Sequence, residues 1–328
     1  MSTPKIILDT DPGGDDIFAF LWLLSLVKQG LAELVAVTTA DGNVAARRTF
    51  SSASQILGLG GFQHIEVGRG VSVKGEALED AAHIHGLDGM GNLSHTLPAA
   101  THTFEKARYS DEIIIDKLNG NPGEITLIAI APLTNLASAE QKSPGILKKA
   151  REVVIMGGTF HCPGNITAQA EFNIWFNPEA AQTVFNSRDD IVVMPLDVTR
   201  RLIFTRDMMQ AVNQVNPKSE ISRFLCSLCE FMIGTALEYR ETKGISGFLV
   251  HDAATLGYLF YPETLMLQRA KVRIETKGEW TCGQSLIDSR HAPKAGANAW
   301  VALQVDEVGF FTSFIQDLKC FIKSTQNL

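Results

Sequence analysis

The chain has 328 residues, 45% of them hydrophobic, with a formal net charge of −7 and 27 glycines. That is enough apolar material for a sizeable core. The acidic balance, without a Lys/Arg cluster, argues against a nucleic-acid partner. No apolar run reaches membrane-spanning length and no signal-peptide core follows Met1, so no membrane partner is expected. Five cysteines at wide spacing are an odd number and fit a reducing, cytoplasmic setting better than a disulfide framework.

In chain order, apolar runs predict strands at Lys5–Leu8, Leu34–Thr39, His64–Val67, Ile125–Ile130, Val153–Met156 and Ile191–Pro195. Helical periodicity lies between them, near Asp16–Lys28, Ala45–Leu57, Ser110–Leu118, Leu133–Glu140 and Pro178–Asn186. This alternation implies an α/β fold with a mostly parallel central sheet flanked by helices, its ligand site at the carboxyl ends of the strands. A long helical stretch follows from Ser219 to Glu241. The last sixty residues read as a few strands, one of them holding Trp280, and a terminal helix over Phe310–Ser324. No linker or repeat divides the chain, so residues 1–328 are expected to form one domain. Gly70–Ser94 carries weak periodicity and many Gly, His and Asp residues, the pattern of an active-site loop.

The first strand ends in Asp9-Thr10-Asp11-Pro12-Gly13-Gly14-Asp15-Asp16. Pro12-Gly13-Gly14 must turn the chain, and a helix follows. One carboxylate suffices to cap a helix, but four this close repel one another unless a cation, a proton or hydrogen bonds compensate them. Oxygen-only ligands suit a hard cation, calcium or magnesium. Polar runs also end later strands: Thr38-Thr39-Ala40-Asp41-Gly42-Asn43, Ile130-Ala131-Pro132-Leu133-Thr134-Asn135, Met156-Gly157-Gly158 and Gly164-Asn165. Glu171-Phe172-Asn173 and His251-Asp252 complete the set. Asn, Asp and Glu each bind through two atoms, so such a set suits a polyhydroxylated ligand beside a hard metal.

Asp9 to Asp16 matches the DxDPGxDD signature of the inosine-uridine-preferring nucleoside hydrolases, calcium-dependent enzymes that cut the N-glycosidic bond of ribonucleosides. The chain is similar to that family also at Thr38-Thr39…Gly42-Asn43, His85-Gly86-Leu87-Asp88-Gly89, Pro132–Asn135, Met156-Gly157-Gly158, Gly164-Asn165, Glu171–Ala181 and His251-Asp252. The resemblance implies calcium bound by Asp11, Asp16, Asp252 and the main-chain carbonyl of Ile130. It makes Asp11 also the general base toward the calcium-bound water. It places Asp15, Asn43, Asn165, Glu171 and Asn173 on the ribose hydroxyls, with Met156 lining the sugar pocket. His251 matches the histidine that protonates the leaving base, and His85 and Tyr239 resemble residues on segments that close over it. It implies a homodimer or homotetramer. Asp9 receives no contact.

The chain departs from the family pattern at Ala131, at Ala253 and at Cys282, where Gly, Pro and Arg are usual. Two rival readings differ in chemistry. A haloacid-dehalogenase-type phosphatase also opens on Asp-x-Asp, but Gly13 stands where that class carries Thr or Val. A non-catalytic nucleoside- or sugar-binding protein would have no need of Asp11, Asp16, Asp252 and His251 together. Cys226-Ser-Leu-Cys229 falls among apolar helical positions and reads as buried packing rather than a redox or zinc motif. His161 and Cys162 read as loop residues, having no partner at metal spacing.

Overall fold

The computed structural model describes residues 3–71, 80–288 and 296–324. Twelve strands are present among these: β1 (Lys5–Thr10), β2 (Glu33–Thr39), β3 (Val67–Gly68), β4 (Ile125–Ala129), β5 (Glu152–Met156), β6 (Ile191–Met194), β7 (Ile203–Thr205), β8 (Gly247–Leu249), β9 (Leu265–Ala270), β10 (Val272–Ile274), β11 (Ser285–Ile287) and β12 (Ala299–Val305). The α-helices are α1 (Gly14–Lys28), α2 (Ala46–Gly60), α3 (Ala82–His85), α4 (Ser110–Gly120), α5 (Thr134–Lys142), α6 (Phe172–Phe176), α7 (Pro178–Ser187), α8 (Leu196–Thr199), α9 (Arg206–Asn213), α10 (Glu220–Glu238), α11 (Ala253–Phe260) and α12 (Glu307–Ser324).

Eight strands form one sheet in the order β3-β2-β1-β4-β5-β6-β12-β9, parallel except for the edge strand β9. The chain runs outward from β1 to β3, then restarts at β4 on the other side of β1 and runs out to β6. The order therefore reverses between β1 and β4, and a crevice opens there at the carboxyl ends of the strands. Strand alternation divides the interior in two. Ile6 and Leu8 of β1 face a core shared with α1, α2, α10, α11 and α12, while Ile7 faces a second core with α4, α5 and α7.

Helix α1 is unusual in being apolar nearly all round: every residue from Gly14 to Leu26 is buried. Trp22, Ser25 and Gln29 tie this helix to α12, where Asp317 accepts bonds from Trp22 Nε1 (2.7 Å) and Gln29 Nε2 (3.0 Å). Ser25 Oγ donates to the Asp317 carbonyl, and Tyr261 adds its hydroxyl to the same carboxylate at 2.6 Å.

Three expectations are corrected. The His64–Val67 strand shrinks to the two residues Val67–Gly68, because only Val37 and Thr38 offer it a pairing edge. Trp280 lies in a turn between β10 and β11 rather than in a strand, 81% exposed, where the Cys282 N–H bonds the Gly278 carbonyl. The terminal helix begins three residues early, at Glu307. Within Gly70–Ser94, residues 72–79 lie outside the described residues. The remainder is more ordered than its periodicity predicts, since the Asp88 carboxylate collects the N–H groups of Met90, Asn92 and Ser94 at 2.8–2.9 Å. Cys226 and Cys229 sit as free thiols in α10, as packing residues.

Candidate active site

Asp9 and Asp11 straddle the end of β1, and Gly13 delivers the chain into α1. A side chain at Gly13 would strike Asn43 Nδ2 at 2.5 Å and His85 Nδ1 at 2.8 Å, so only glycine fits this turn. Asp16, one turn into the helix, folds back over its own N-terminus. Its Oδ2 accepts the Gly13 N–H (3.1 Å) and Asn43 Nδ2 (2.9 Å), and its Oδ1 accepts Thr10 Oγ1 (2.6 Å). Asp11 Oδ2 accepts the Asn43 N–H at 2.7 Å, while Oδ1 is buried with no partner among the described residues. Asp9 is not idle: its Oδ1 accepts Thr38 Oγ1 (2.5 Å) and Asn135 Nδ2 (2.8 Å), joining the ends of β1 and β2 to the start of α5.

Asp252 arrives from the far end of the chain, just ahead of α11, and its carboxylate lies with those of Asp15 and Asp16 so that one oxygen of each falls within 4.8 Å of the others. Burial, then the Asp16 charge, pushes the Asp15 carboxyl up to about 8. Burial first and neighbouring carboxylates second hold Asp11 and Asp252 well above the usual carboxylate range. Asp16 is also raised by burial, against the pull of its hydrogen bonds. Buried like charges with an orphaned oxygen and an oxygen-only donor set are what a hard divalent cation would neutralise, so these residues fit one.

On the opposite wall, Glu171 caps α6, its carboxylate accepting the N–H groups of Asn173 (2.9 Å), Ile174 (3.2 Å) and Gly158 (2.9 Å). Asn173 in turn donates Nδ2 to the carbonyls of Ile130 (3.1 Å) and Met156 (3.2 Å), at the ends of β4 and β5. Asn165 Oδ1 holds the Phe172 N–H at 2.9 Å. Two histidines complete the arrangement. His85 Nδ1 accepts the Gly14 N–H at 2.9 Å, and His251 Nδ1 lies 2.7 Å from Thr199 Oγ1. Burial, with smaller contributions from Arg200 and His85, takes His251 down to about 3, and burial with His83 takes His85 down to about 4. Both rings are therefore neutral near pH 7.

One cleft of about 810 Å³ gathers Asp15, Asp16, Asn43, His85, Ile130, Met156, Asn165, Glu171, Asn173, Tyr239, His251 and Asp252. Asp11 does not line its wall but lies beneath it, 1% exposed. Tyr239 stands at the rim, its ring packed edge-on against that of His83 at 5.3 Å. The cleft also holds Arg200, Met232, Glu241 and Leu249, which the sequence reading had not singled out. Arg200 Nη2 donates to the Gly164 carbonyl at 2.7 Å. The one cue for it was its place beside Thr199 in the polar run after β6.

A parallel sheet with a carboxylate-floored, amide-walled cleft at its switch point suits a small polyhydroxylated ligand beside a hard cation. A model of the inosine-uridine preferring nucleoside hydrolases matches residues 6–312, and the chain belongs to that family. It is 36% identical to the non-specific ribonucleoside hydrolase RihC of Klebsiella pneumoniae over 93% of this chain and 95% of that one. It is 32% identical to the inosine-uridine preferring nucleoside hydrolase of Leishmania major over 96% and 97% of the two chains. The solved purine-preferring ribonucleoside hydrolase of Gardnerella vaginalis superposes with a TM-score of 0.88 at 26% identity, covering 98% of this chain and all of that one. The protein is thus an N-glycosyl hydrolase that cleaves ribonucleosides to base and ribose. Among the described residues no helix is long and apolar enough to cross a membrane.

Proposed function

We propose that the chain is a single-domain, calcium-dependent ribonucleoside hydrolase in which Asp11, Asp16, Asp252 and the Ile130 carbonyl hold the ion. The observation that carries this reading is the convergence of Asp15, Asp16 and Asp252 on one point; Asp11 stands outside that group, near enough to feel the Asp16 and Asp15 charges, with its Oδ1 unpartnered among the described residues. When bound, calcium would neutralise these charges and make a nearby water easier to deprotonate.

The protein's own groups account for the rest. Asp11, whose carboxyl is raised by burial, is the general base that takes the proton of the attacking water. Asp15, Asn43, Asn165, Glu171 and Asn173 grip the ribose hydroxyls and hold the anomeric carbon in place, with Met156 against the sugar. Departure of the base leaves positive charge on the ring, which the surrounding carboxylates stabilise. His251 assists the leaving base, and His85, buried beside Gly14, and Tyr239, at the rim, face it. A base-facing histidine favours inosine, uridine or cytidine over strict purine selection. We further propose a cytoplasmic homodimer or homotetramer.

The test is a panel of inosine, uridine, cytidine and adenosine with and without calcium, a chelator and phosphate. Base and ribose should be released without phosphate, lost on chelation and restored by calcium. Turnover that persists in metal-free protein would refute the cofactor, and none with any nucleoside in folded, calcium-loaded protein would refute the activity.

A further inference from the structure

His85 and His251 in the cleft are held by different kinds of partner. His85 Nδ1 accepts a backbone N–H from Gly14, which can only donate. The ring proton of neutral His85 is therefore on Nε2, and the N-terminal end of α1 reinforces a bare Nδ1. His251 Nδ1 instead meets a hydroxyl, Thr199 Oγ1, at 2.7 Å. Thr199 is fully buried, and this is the single side-chain hydrogen bond its hydroxyl makes among the described residues. Were Nδ1–H the donor, the proton of the fully buried Thr199 hydroxyl would have no acceptor among the described residues, and a buried hydroxyl is rarely left so. The hydroxyl then donates to a bare Nδ1, which puts the His251 proton on Nε2, the ring nitrogen that no group engages among the described residues.

We propose that Thr199 is a positioning residue for the hydrolysis, fixing His251 in the Nε2–H tautomer and in an orientation that lets it donate to the departing base. This rests on the reading of His251 as the residue that assists that base. Thr199 is placed for the task by the fold: α8 follows β6, and β8 with the turn after it brings His251 alongside. The ligand chemistry follows as well. A neutral Nε2–H is a donor only, so it selects bases that present an acceptor, a ring nitrogen or a carbonyl oxygen, at the contact point.

The test compares Thr199→Val, Thr199→Ser and His251→Ala on inosine, uridine and p-nitrophenyl riboside, whose leaving group departs as a stable anion without help. Thr199→Val should lower kcat on the nucleosides by about tenfold or more, with KM little changed, while the aryl riboside loses far less. Thr199→Ser, which restores the hydroxyl, should recover the nucleoside rate. Equal losses on both substrate types in Thr199→Val, or a full nucleoside rate in it, would overturn the proposal. His251→Ala separates the two levels. Should it lose the nucleosides selectively while Thr199→Val does not, the positioning role alone fails; if His251→Ala leaves nucleoside turnover intact, the assignment of His251 fails with it.

Discussion

Gly42 is the point at which the catalytic carboxylate is most easily disturbed without being touched. A Cβ built there would lie 1.9 Å from Asp11 Oδ2, 2.8 Å from Asp11 Cγ and 2.9 Å from Pro132 Cδ. Non-bonded heavy atoms sit about 3.5 Å apart, so Gly42→Ala must open this gap by more than about 1 Å. The neighbours do not give easily. Pro132 is a ring in the β4–α5 connection, and Asp11 is fully buried with its Oδ2 on the Asn43 N–H at 2.7 Å. Yielding at Asp11 breaks that charge-assisted bond, worth about 1.5–3 kcal/mol, on top of an overpacking cost of about 1–3 kcal/mol. The total, about 2.5–6 kcal/mol, is less than most domains have to lose, about 5–15 kcal/mol, so the variant should fold. A base displaced by about 1 Å should lower kcat on inosine by about 100-fold. Steady-state kinetics and urea unfolding of the variant and parent provide the assay. Turnover within about threefold of the parent would show that Asp11 is not held against Gly42 or is not the base.

Other outcomes follow from the same structure. Asp317→Ala strands the donors of Trp22, Gln29 and Tyr261, and urea unfolding should show a loss of about 3–5 kcal/mol; a loss below about 1 kcal/mol would contradict the hub. Gly234, in the middle of α10, has no atom of the described residues within 4 Å of a built Cβ, so Gly234→Ala should stabilise by about 0.5–1 kcal/mol with kcat unchanged, and a lowered unfolding midpoint would refute this. Burial pushes the Cys229 thiol up to about 12, so iodoacetamide at pH 8 should leave it unlabelled in the native protein, and rapid labelling seen by peptide mass spectrometry would contradict its packing.

What the sequence disclosed and what it hid divide along physical lines. The Asp9–Asp16 run was legible because strand, turn and cap are local, and four acids in eight positions have few other uses. Asp252 and His251 were legible through the family pattern alone, since nothing in their neighbourhood says they return to the first turn of α1. Arg200 and Glu241, on turns, and Leu249, at the end of β8, stayed hidden because their side chains reach the cleft by tertiary placement, from segments whose local pattern is ordinary. The short β3 and the turn at Trp280 show the same limit: apolar character was read correctly, but strand pairing depends on which edge is vacant. Asp9 had no contact in the sequence reading. It proves to be a tie between β1, β2 and α5, which no spacing could reveal.

The burial of α1 on every face has a consequence for how the chain is made. A helix that carries the first half of the site is apolar all round, and its cover includes α12, nearly three hundred residues later. During synthesis, Phe18 must wait for Phe204 and Phe248, and Trp22 for Phe310 and Phe314 of α12, before they are shielded. The nascent protein therefore carries an exposed greasy helix through most of translation. Its yield in a cell should depend on chaperone capacity more than its final stability would suggest.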